Sequence, residues 1–270
     1  MQIGICGCGW LGQPLAQHLK HRGHDIVATR RSQEALQALD EIACTSIAYT
    51  LGQSLSSGSL LPLFSSEILI LNIPPGRKSL HPETFVLQMK GLIAHANTQG
   101  VKHLIFISTT SVYGEQSARV TEQTRVEPNT DSGFAHILIE QSVFEHFALR
   151  GCVLRLAGLV GSDRHPAKFL AGRTDLQNGG QGVNLIHQQD VIKAITQIID
   201  KNIWGEILHL AANEHPSRAE YYRWAAEQLG LPAPQFLPSG NATRGKLIDA
   251  SWTLQKLSLK LHYASPFDML

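Results

Sequence analysis

A glycine-rich hexapeptide near the start of the chain constrains the fold more than any other feature. Gly7-Cys8-Gly9-Trp10-Leu11-Gly12 follows a short apolar run and opens a stretch with apolar residues at helical spacing. Between a strand and a helix, such glycines allow a tight turn, close backbone approach to a pyrophosphate and close packing of helix on sheet. The helix N-terminus then stabilises negative charge. We therefore predict that a dinucleotide is bound by Gly7, Gly9, Trp10, Leu11 and Gly12. The alternative is a turn without a ligand.

Short apolar runs alternate with amphipathic stretches along the first half of the chain. The predicted strands are Gln2 to Cys6, Asp25 to Thr29, Ser46 to Tyr49, Glu67 to Asn72, Lys102 to Ser108 and Cys152 to Leu156. The predicted helices are Trp10 to Arg22, Gln33 to Leu39, Pro82 to Thr98 and Ser132 to Leu149. Continuous apolar strands that alternate with helices are typical of a parallel sheet covered on both faces. The expected fold class is therefore α/β, a Rossmann-type doubly wound parallel sheet.

Beyond Arg155 the pattern becomes irregular, because glycines and prolines interrupt it repeatedly. Val183 to Ile186 and Glu206 to Leu210 still have the composition of strands. We expect a Rossmann domain over residues 1–160, completed by residues 183–212. A smaller C-terminal substrate lobe, formed by residues 161–182 and 213–270, is expected to be interleaved with it.

The end of the second predicted strand bears on the choice of dinucleotide. Arg30-Arg31-Ser32 stands where an NAD site usually places an Asp or Glu for the ribose 2′-hydroxyl. An arginine there accommodates a 2′-phosphate instead. We therefore expect Arg30, Arg31 and Ser32 to favour NADP, with NAD the less favoured cofactor. The alternative is that both arginines are solvated in a loop before a helix.

A proline-rich turn follows the fourth predicted strand. Asn72-Ile73-Pro74-Pro75-Gly76 lies at the carboxyl edge of the expected sheet, where folds of this class bind ligands. Ile73 and Pro74 are therefore candidate cofactor contacts. A rigid turn without a ligand is the alternative.

Composition excludes several classes of protein. The chain has 270 residues, of which 43% are hydrophobic, enough to build a full core. Lys+Arg number 23 and Asp+Glu 22, so the net charge of +1 provides no basic surface for nucleic acid. No apolar run approaches the roughly 20 residues that span a bilayer. We expect neither a nucleic-acid partner nor a membrane.

The four cysteines do not predict a metal site. Cys6 and Cys8 form a Cys-x-Cys pair, but Cys44 and Cys152 are distant in sequence and no second pair completes a zinc-type set. We interpret the pair as small residues beside a tight turn. The low cysteine content and the lack of a basic segment before the first apolar run favour the reducing cytoplasm.

Three further segments resemble the extended short-chain dehydrogenases/reductases. Ile107 to Gly114 is similar to their Ser/Thr-containing strand and loop that ends in Val-Tyr-Gly. Arg155 to Gly161 is similar to their arginine-containing strand and glycine loop, and Asn184 to Val191 to their His-x-x-Asp-Val segment. With Leu71 to Pro75 and Arg155 to Arg173, the chain looks closer still to the YeeZ-like, atypical members of this epimerase/dehydratase-like group. The resemblance implies an NAD(P)-binding Rossmann fold.

The resemblance fails at the residues that carry the family's chemistry. The family's Tyr-Gly-x-Ser-Lys-x-x-x-Glu corresponds to residues 132–140, where Ser132 replaces the tyrosine and His136 the lysine. In the family the tyrosine exchanges the substrate hydroxyl proton, and the lysine lowers the pKa of the tyrosine. A serine cannot replace a phenol of pKa about 10 as a proton acceptor without a base of its own. Thr110-Ser111 also replaces the Asp-Glu of the family's dehydratases, so dehydratase chemistry is not expected.

Three residues remain candidates for catalysis. Thr109 matches the family's catalytic Ser/Thr, which hydrogen-bonds the reacting oxygen, and strand-end capping is the alternative. His136 lies four residues after Ser132, so both share one helix face, and an imidazole titrates near neutrality. The alternative is a packed histidine with no chemistry. The resemblance also implies that Ser108 contacts the cofactor.

Substrate contacts are expected at Tyr113, Arg164 and His165. Tyr113 matches a structural position of the family, so a loop anchor is the alternative. The resemblance places Arg164 and His165 near the substrate, where cationic or amphoteric groups bind anions. Weaker candidates for the same role are Arg155, His187 and Arg244.

Two functions remain open. One is an NADP-dependent oxidoreductase or epimerase-like enzyme that acts on a nucleotide sugar or another polar or anionic small molecule. The other is a non-catalytic NADP(H)-binding sensor or interaction module. A homodimer is an option for either function.

Overall fold

The apolar runs of the sequence pair side by side in one sheet. The computed structural model describes residues 1–40, 42, 44–75, 81–116, 118–161, 163–238 and 244–270. Its strands are β1 (Gln2–Cys6), β2 (Asp25–Arg30), β3 (Thr45–Ala48), β4 (Ile68–Leu71), β5 (His103–Thr109), β6 (Arg119–Val120), β7 (Gly151–Leu156), β8 (Gly158–Val160), β9 (Leu185–His187), β10 (Glu206–Leu210) and β11 (Leu247–Ile248). Seven of them lie in the order β10-β7-β5-β4-β1-β2-β3. Within this order, the neighbouring strands β5, β4, β1, β2 and β3 all pair in parallel. This arrangement confirms the predicted Rossmann-type sheet.

Helices connect these strands. They are α1 (Gly12–His21), α2 (Gln33–Asp40), α3 (Leu61–Phe64), α4 (Pro82–Thr98), α5 (Asp131–Phe147), α6 (Ala167–Leu170), α7 (Gln188–Asp200), α8 (Arg218–Gln228) and α9 (Ser251–Leu257). Pro82 begins α4, where the missing N–H costs no hydrogen bond. Thr130 caps α5 by accepting a hydrogen bond from the Gly133 N–H at 3.1 Å. Local sequence signals therefore set where both long helices begin.

Both faces of the sheet are buried, which explains why its strands are apolar without alternation. Leu69, Leu71 and Phe106 belong to one core, into which α3, α4 and α5 also pack. Ile70 and Ile105 alternate with these residues in the strands and are fully buried as well. The candidate site lies at the carboxyl ends of these strands.

The chain divides into two compact units. The first consists of Met1–Val112, Thr130–Arg155 and Ile198–Leu208. The second consists of Tyr113–Asn129, Leu156–Gln197 and His209–Leu270. In the second unit β8 pairs with β9 and β6 pairs with β11, each pair running parallel.

The second unit is held partly by a buried carboxylate. Asp190, in the first turn of α7, is fully buried and accepts hydrogen bonds from the N–H groups of His262 and Tyr263, at 2.7 and 3.0 Å. The His187 ring packs against the Tyr263 ring with centroids 3.7 Å apart. These contacts fix the C-terminal segment of the chain to the start of α7.

This division differs from the expected one, and two of the differences reflect strand pairing. The run Val183 to Ile186 was expected to complete the main sheet, but the strand at this position, β9, pairs with β8 instead. Residues 113–129 belong to the second unit, where β6 pairs with β11. Both differences arise from pairings between segments far apart in sequence.

Among the described residues, every helix falls short of the length and apolar character that crossing a bilayer requires.

Candidate functional site

Each glycine of the hexapeptide has a different steric role. Gly7 has a φ of +94°, and a Cβ there would collide with the backbone oxygen of Asn72. A Cβ on Gly12 would lie 2.9 Å from the Gly7 oxygen, so this glycine lets α1 pack closely on the turn. A Cβ on Gly9 would meet no atom of the described residues within 4 Å. The fold therefore requires glycine at positions 7 and 12, whereas Gly9 borders open space.

The start of α1 suits an anion beside that open space. Leu11 is the N-cap residue, so no side chain caps the helix, and its first turn contains no acidic residue. The first N–H groups of a helix have no partners within the helix, and they carry partial positive charge. Trp10 is half-buried and Leu11 buried beside this turn. The loop therefore fits the pyrophosphate of a dinucleotide.

Arg30 ends β2 next to this loop. Its guanidinium donates a hydrogen bond to the Gln13 side chain of α1. Its Nε is buried, and none of the described residues provides a hydrogen-bond partner for it. Because buried donors are normally paired, an unpartnered Nε here fits an anionic group of a ligand.

Arg31 and Ser32 follow Arg30, and both are exposed. The Ser32 hydroxyl accepts a hydrogen bond from the Ala35 N–H at 3.3 Å. Ser32 therefore helps to begin α2, whether or not it contacts a ligand.

The turn after β4 borders the glycine loop from the other side. A Cβ on Gly7 would lie 3.0 Å from Cγ1 of Ile73, so Ile73 is beside the loop. Pro74 is exposed. Gly76, the last residue of the predicted turn, lies outside the described residues.

The thiols of the hexapeptide region are buried. Burial raises the pKa of Cys6 and that of Cys8 to about 12, although the Arg30 charge acts in the opposite direction on Cys8. Both side chains are therefore neutral thiols at physiological pH.

Thr109 lies at the end of β5 and is half-buried. Its Oγ1 accepts hydrogen bonds from the N–H and the hydroxyl of Ser111, both at 3.1 Å. The strand-end capping considered as the alternative is therefore present. The hydroxyl of Thr109 retains its own hydrogen, which suits it to donate to a substrate oxygen.

His136 is buried on α5, with its ring stacked on Phe106 at a centroid distance of 5.8 Å. Its Nδ1 lies 2.7 Å from the Ser132 carbonyl oxygen. A carbonyl only accepts, so Nδ1 carries the hydrogen and Nε2 has the lone pair. Burial lowers the pKa of His136, and the Ser132 carbonyl and the Glu140 charge only partly offset this. The imidazole is thus neutral near pH 7, rather than titrating there as the sequence suggested.

Ser132 has no base among the residues that the structure describes. Its Oγ lies 3.5 Å from His136 Nδ1, the nitrogen that already donates to the Ser132 carbonyl. Nδ1 therefore cannot accept the serine proton in this tautomer.

A buried ion pair lies one helical turn beyond His136. Arg155 Nε lies 3.0 and 3.2 Å from the two Glu140 oxygens, and Nη2 lies 2.6 Å from Oε2. The Ser108 hydroxyl donates to Oε1 at 2.5 Å. This cluster joins β5, α5 and β7 at Ser108, the residue before Thr109. It also engages Ser108, which the sequence assigned to cofactor binding.

In the second unit, Tyr113 is fully buried. Its hydroxyl lies 3.1 Å from His209 Nδ1, while His209 Nε2 lies 2.8 Å from the Asp249 carbonyl oxygen. Nε2 therefore carries the hydrogen, and Tyr113 donates to Nδ1. This burial supports the loop-anchor interpretation over a substrate contact.

His165 is also committed to the fold of the second unit. Its Nδ1 accepts from the Ala167 N–H at 3.2 Å, so its Nε2 donates to the Tyr221 hydroxyl at 2.7 Å. Burial lowers the pKa of His165 to about 4, which keeps the ring neutral. Arg164, its neighbour, is exposed. Of the two, only Arg164 presents a cation to solvent.

Comparison with known proteins identifies related chains. A model of the NAD dependent epimerase/dehydratase family matches residues 4–211. Protein YeeZ of Escherichia coli (strain K12) is 34% identical over 270 residues, which cover 99% of this chain and 98% of that protein. A 3-diazoavenalumate denitrifying reductase of Streptomyces sp is 25% identical over 271 residues, covering 90% of this chain and 86% of the reductase.

A solved structure shares the fold. The UDP-glucuronic acid 4-epimerase of Bacillus cereus, in complex with NAD, superposes with a TM-score of 0.82 and 19% sequence identity. The match covers 100% of this chain and 96% of the epimerase.

Substitution of two glycines separates folding from ligand binding. Gly9→Val should leave the melting temperature nearly unchanged and abolish NADPH binding, because its side chain would fill only the open space beside α1. Gly7→Ala should lower the melting temperature by at least about 2–4 °C, since φ is positive and Asn72 leaves no room. Calorimetry of both variants, without and with NADPH, measures these effects. Normal NADPH binding by Gly9→Val would show that the loop is not the phosphate site.

Proposed function

This chain belongs to the NAD dependent epimerase/dehydratase family, and on that premise we propose that it binds NADP(H) in preference to NAD(H). The observation that carries the proposal is the buried, unpartnered Nε of Arg30 beside the open glycine loop. A 2′-phosphate at the end of β2 would satisfy that donor and accept from Arg31, which is exposed there. NAD has no group of matching charge at that position.

We further propose that the protein is an oxidoreductase or epimerase-like enzyme acting on a nucleotide sugar or another polar metabolite. A bound nicotinamide supplies or accepts hydride. The Thr109 hydroxyl would donate a hydrogen bond to the reacting oxygen of the substrate, and His136 Nε2 would accept the proton that the substrate hydroxyl releases as it is oxidised. The related reductase and the UDP-sugar epimerase with the same fold support this substrate class.

The missing phenol limits that chemistry. Because Ser132 has no base, it cannot act as the tyrosine of related enzymes does. General acid-base groups contribute typically about 10²- to 10⁴-fold to rate. We therefore expect ordinary alcohol substrates to react slowly and a dedicated substrate to rely on His136.

A non-catalytic NADP(H)-binding module is the second candidate. Thr109 accepts a hydrogen bond from the Ser111 N–H, and His136 donates to the Ser132 carbonyl within α5, which is what structural residues at these positions would do. Such a module would bind NADPH without turnover, and we propose the cytoplasm as its location because the cysteine content is low.

A groove of about 800 Å³ between α4 and α5 suits a second copy of this chain. Leu87 and Phe134 on it are 73% and 55% exposed. Lys90 lies on the same groove as Glu83 and Asp131, so two copies in a two-fold arrangement can pair opposite charges. We propose a homodimer through this face.

The cofactor preference predicts a selective loss in Arg30→Ala. A charged hydrogen bond contributes roughly 1.5–3 kcal/mol, so the affinity for NADPH should fall about 10- to 150-fold and that for NADH should hardly change. Titration calorimetry measures both. Arg22→Ala is the control, because Arg22 pairs with Asp200 and lies in the turn after α1. Equal affinities of the unmutated protein for both cofactors would refute the preference.

The catalytic proposal predicts a pH profile. With any substrate found in a metabolite panel, His136→Gln should lower kcat about 10²- to 10⁴-fold, and Thr109→Val should also slow turnover. Since burial lowers the pKa of His136, its base form persists below the usual histidine range. The rate should therefore stay level from neutral pH down to about 6.5 and decline only below it. Fast turnover by both variants would place the chemistry elsewhere, and the absence of any turnover would favour the binding module.

The dimer proposal predicts that Leu87→Asp dissociates the protein. In each copy the substitution removes the free energy of burying one apolar side chain, about 1.5–3 kcal/mol. The dimer dissociation constant should therefore rise about 100-fold or more. Analytical ultracentrifugation measures it. Leu61→Asp is the matched control, because Leu61 is 60% exposed on α3, outside the groove. A monomeric unmutated protein would contradict the proposal.

A further inference from the structure

Side chains from two different strands hold both polar groups of Gly7. The Gly7 N–H donates to Thr29 Oγ1 at 3.0 Å, and the Gly7 carbonyl accepts from Asn72 Nδ2 at 3.1 Å. Thr29 belongs to β2 and Asn72 directly follows β4, the two strands on either side of β1. The turn after β1 is therefore tied to its neighbours on both sides.

The backbone adds further bonds to the same turn. The Cys8 N–H donates to the Thr29 carbonyl at 2.9 Å, and the Gly9 N–H donates to the Gly7 carbonyl at 2.8 Å. The Asn72 N–H donates to the Cys6 carbonyl, also at 2.9 Å. The N–H groups of Gly7, Cys8 and Gly9 are thus satisfied within the protein. The Gln13 N–H donates to the Gly9 carbonyl at 2.9 Å, so a ligand anion would approach the N–H groups of Leu11 and Gly12, at the start of α1 that no side chain caps.

Thr29 is suited to a positioning role rather than to ligand contact. Its side chain is 1% exposed. Its hydroxyl accepts a hydrogen bond from the Gly7 N–H and donates one to Cys6 Sγ, 3.7 Å away. Glycine loses more backbone freedom on ordering than any other residue. A bond that fixes Gly7 before a ligand arrives removes that cost from binding.

We propose that Thr29 and Asn72 are positioning residues for dinucleotide binding, which hold the Gly7 turn in its ligand-ready conformation. This inference rests on the proposed function of the loop. Thr29 acts through the turn, so it should serve every ligand that places a pyrophosphate at α1. Its loss should therefore weaken NADPH and NADH by the same factor, unlike the loss of Arg30.

The test compares three threonine variants. Thr29→Val keeps the shape and removes the hydroxyl, so the affinity for both NADPH and NADH should fall about 5- to 100-fold. Thr29→Ser restores the hydroxyl and should bind within about 3-fold of the unmutated protein. Thr196→Val is the matched control, because Thr196 is 3% exposed and its hydroxyl donates to the Ile192 carbonyl at 2.8 Å in α7. Fluorescence titration gives the affinities, and calorimetry without ligand gives the melting temperatures.

Asn72→Leu provides an independent variant should Thr29→Val fail to fold. It should also weaken both cofactors by the same factor, because it removes the second bond to Gly7. Unchanged affinities in Thr29→Val or Asn72→Leu would overturn the inference while leaving the proposed function intact. An equal loss in Thr29→Val, Thr29→Ser and Thr196→Val would reduce the effect to general destabilisation and also overturn it. If the unmutated protein bound neither NADPH nor NADH, the proposed function and this inference would both fall.

Discussion

The candidate cofactor site depends on the close approach of two backbones at Gly7 and Asn72. Because residue 7 has no Cβ, the chain turns directly after β1 against the end of β4. That turn brings Gly12 close to Gly7, so α1 begins at the carboxyl edge of the sheet. The uncapped helix start, the space beside Gly9 and the neighbouring Arg30 all follow from this one constraint. A larger residue at position 7 would move the helix and separate these parts.

The ion pair of Glu140 and Arg155 is costly for a purely structural device. Burying two charges costs several kcal/mol per ion, and apolar residues of similar volume often stabilise a fold as well or better. Here Glu140 also accepts a hydrogen bond from the Ser108 hydroxyl, and Ser108 directly precedes Thr109. Glu140 lies one helical turn from His136. The pair therefore fixes the strand end and the helix face that carry both candidate catalytic residues. Specific placement of these residues is a reason for a buried charge to persist where stability alone gives none.

The sequence predicts the main sheet well because its signals are local. β1 and β10 match their predicted bounds, and the other strands of the sheet end within one residue of them. The partner of the run at Val183 could not be predicted, since an apolar run does not specify which sheet it joins. The pairing of β6 with β11 involves two residues on each side, too few for any periodicity.

Thr29 was overlooked for a similar reason, because threonine is common in strands and nothing local indicates a bond to Gly7. The neutral state of His136 depends on burial, to which Phe106, a residue of another element, contributes by packing on the ring.

The buried thiols at the glycine loop have a consequence for how the protein withstands oxidants. Thiolates, not thiols, react with peroxides, alkylating reagents and disulfides. With their pKa raised to about 12, Cys6 and Cys8 are almost entirely protonated in the cell and shielded from solvent. Two cysteines thus flank the Gly7 turn, where a Cβ does not fit, without making it a redox sensor. The candidate nucleotide site should therefore keep its shape under oxidising conditions that modify exposed cysteines.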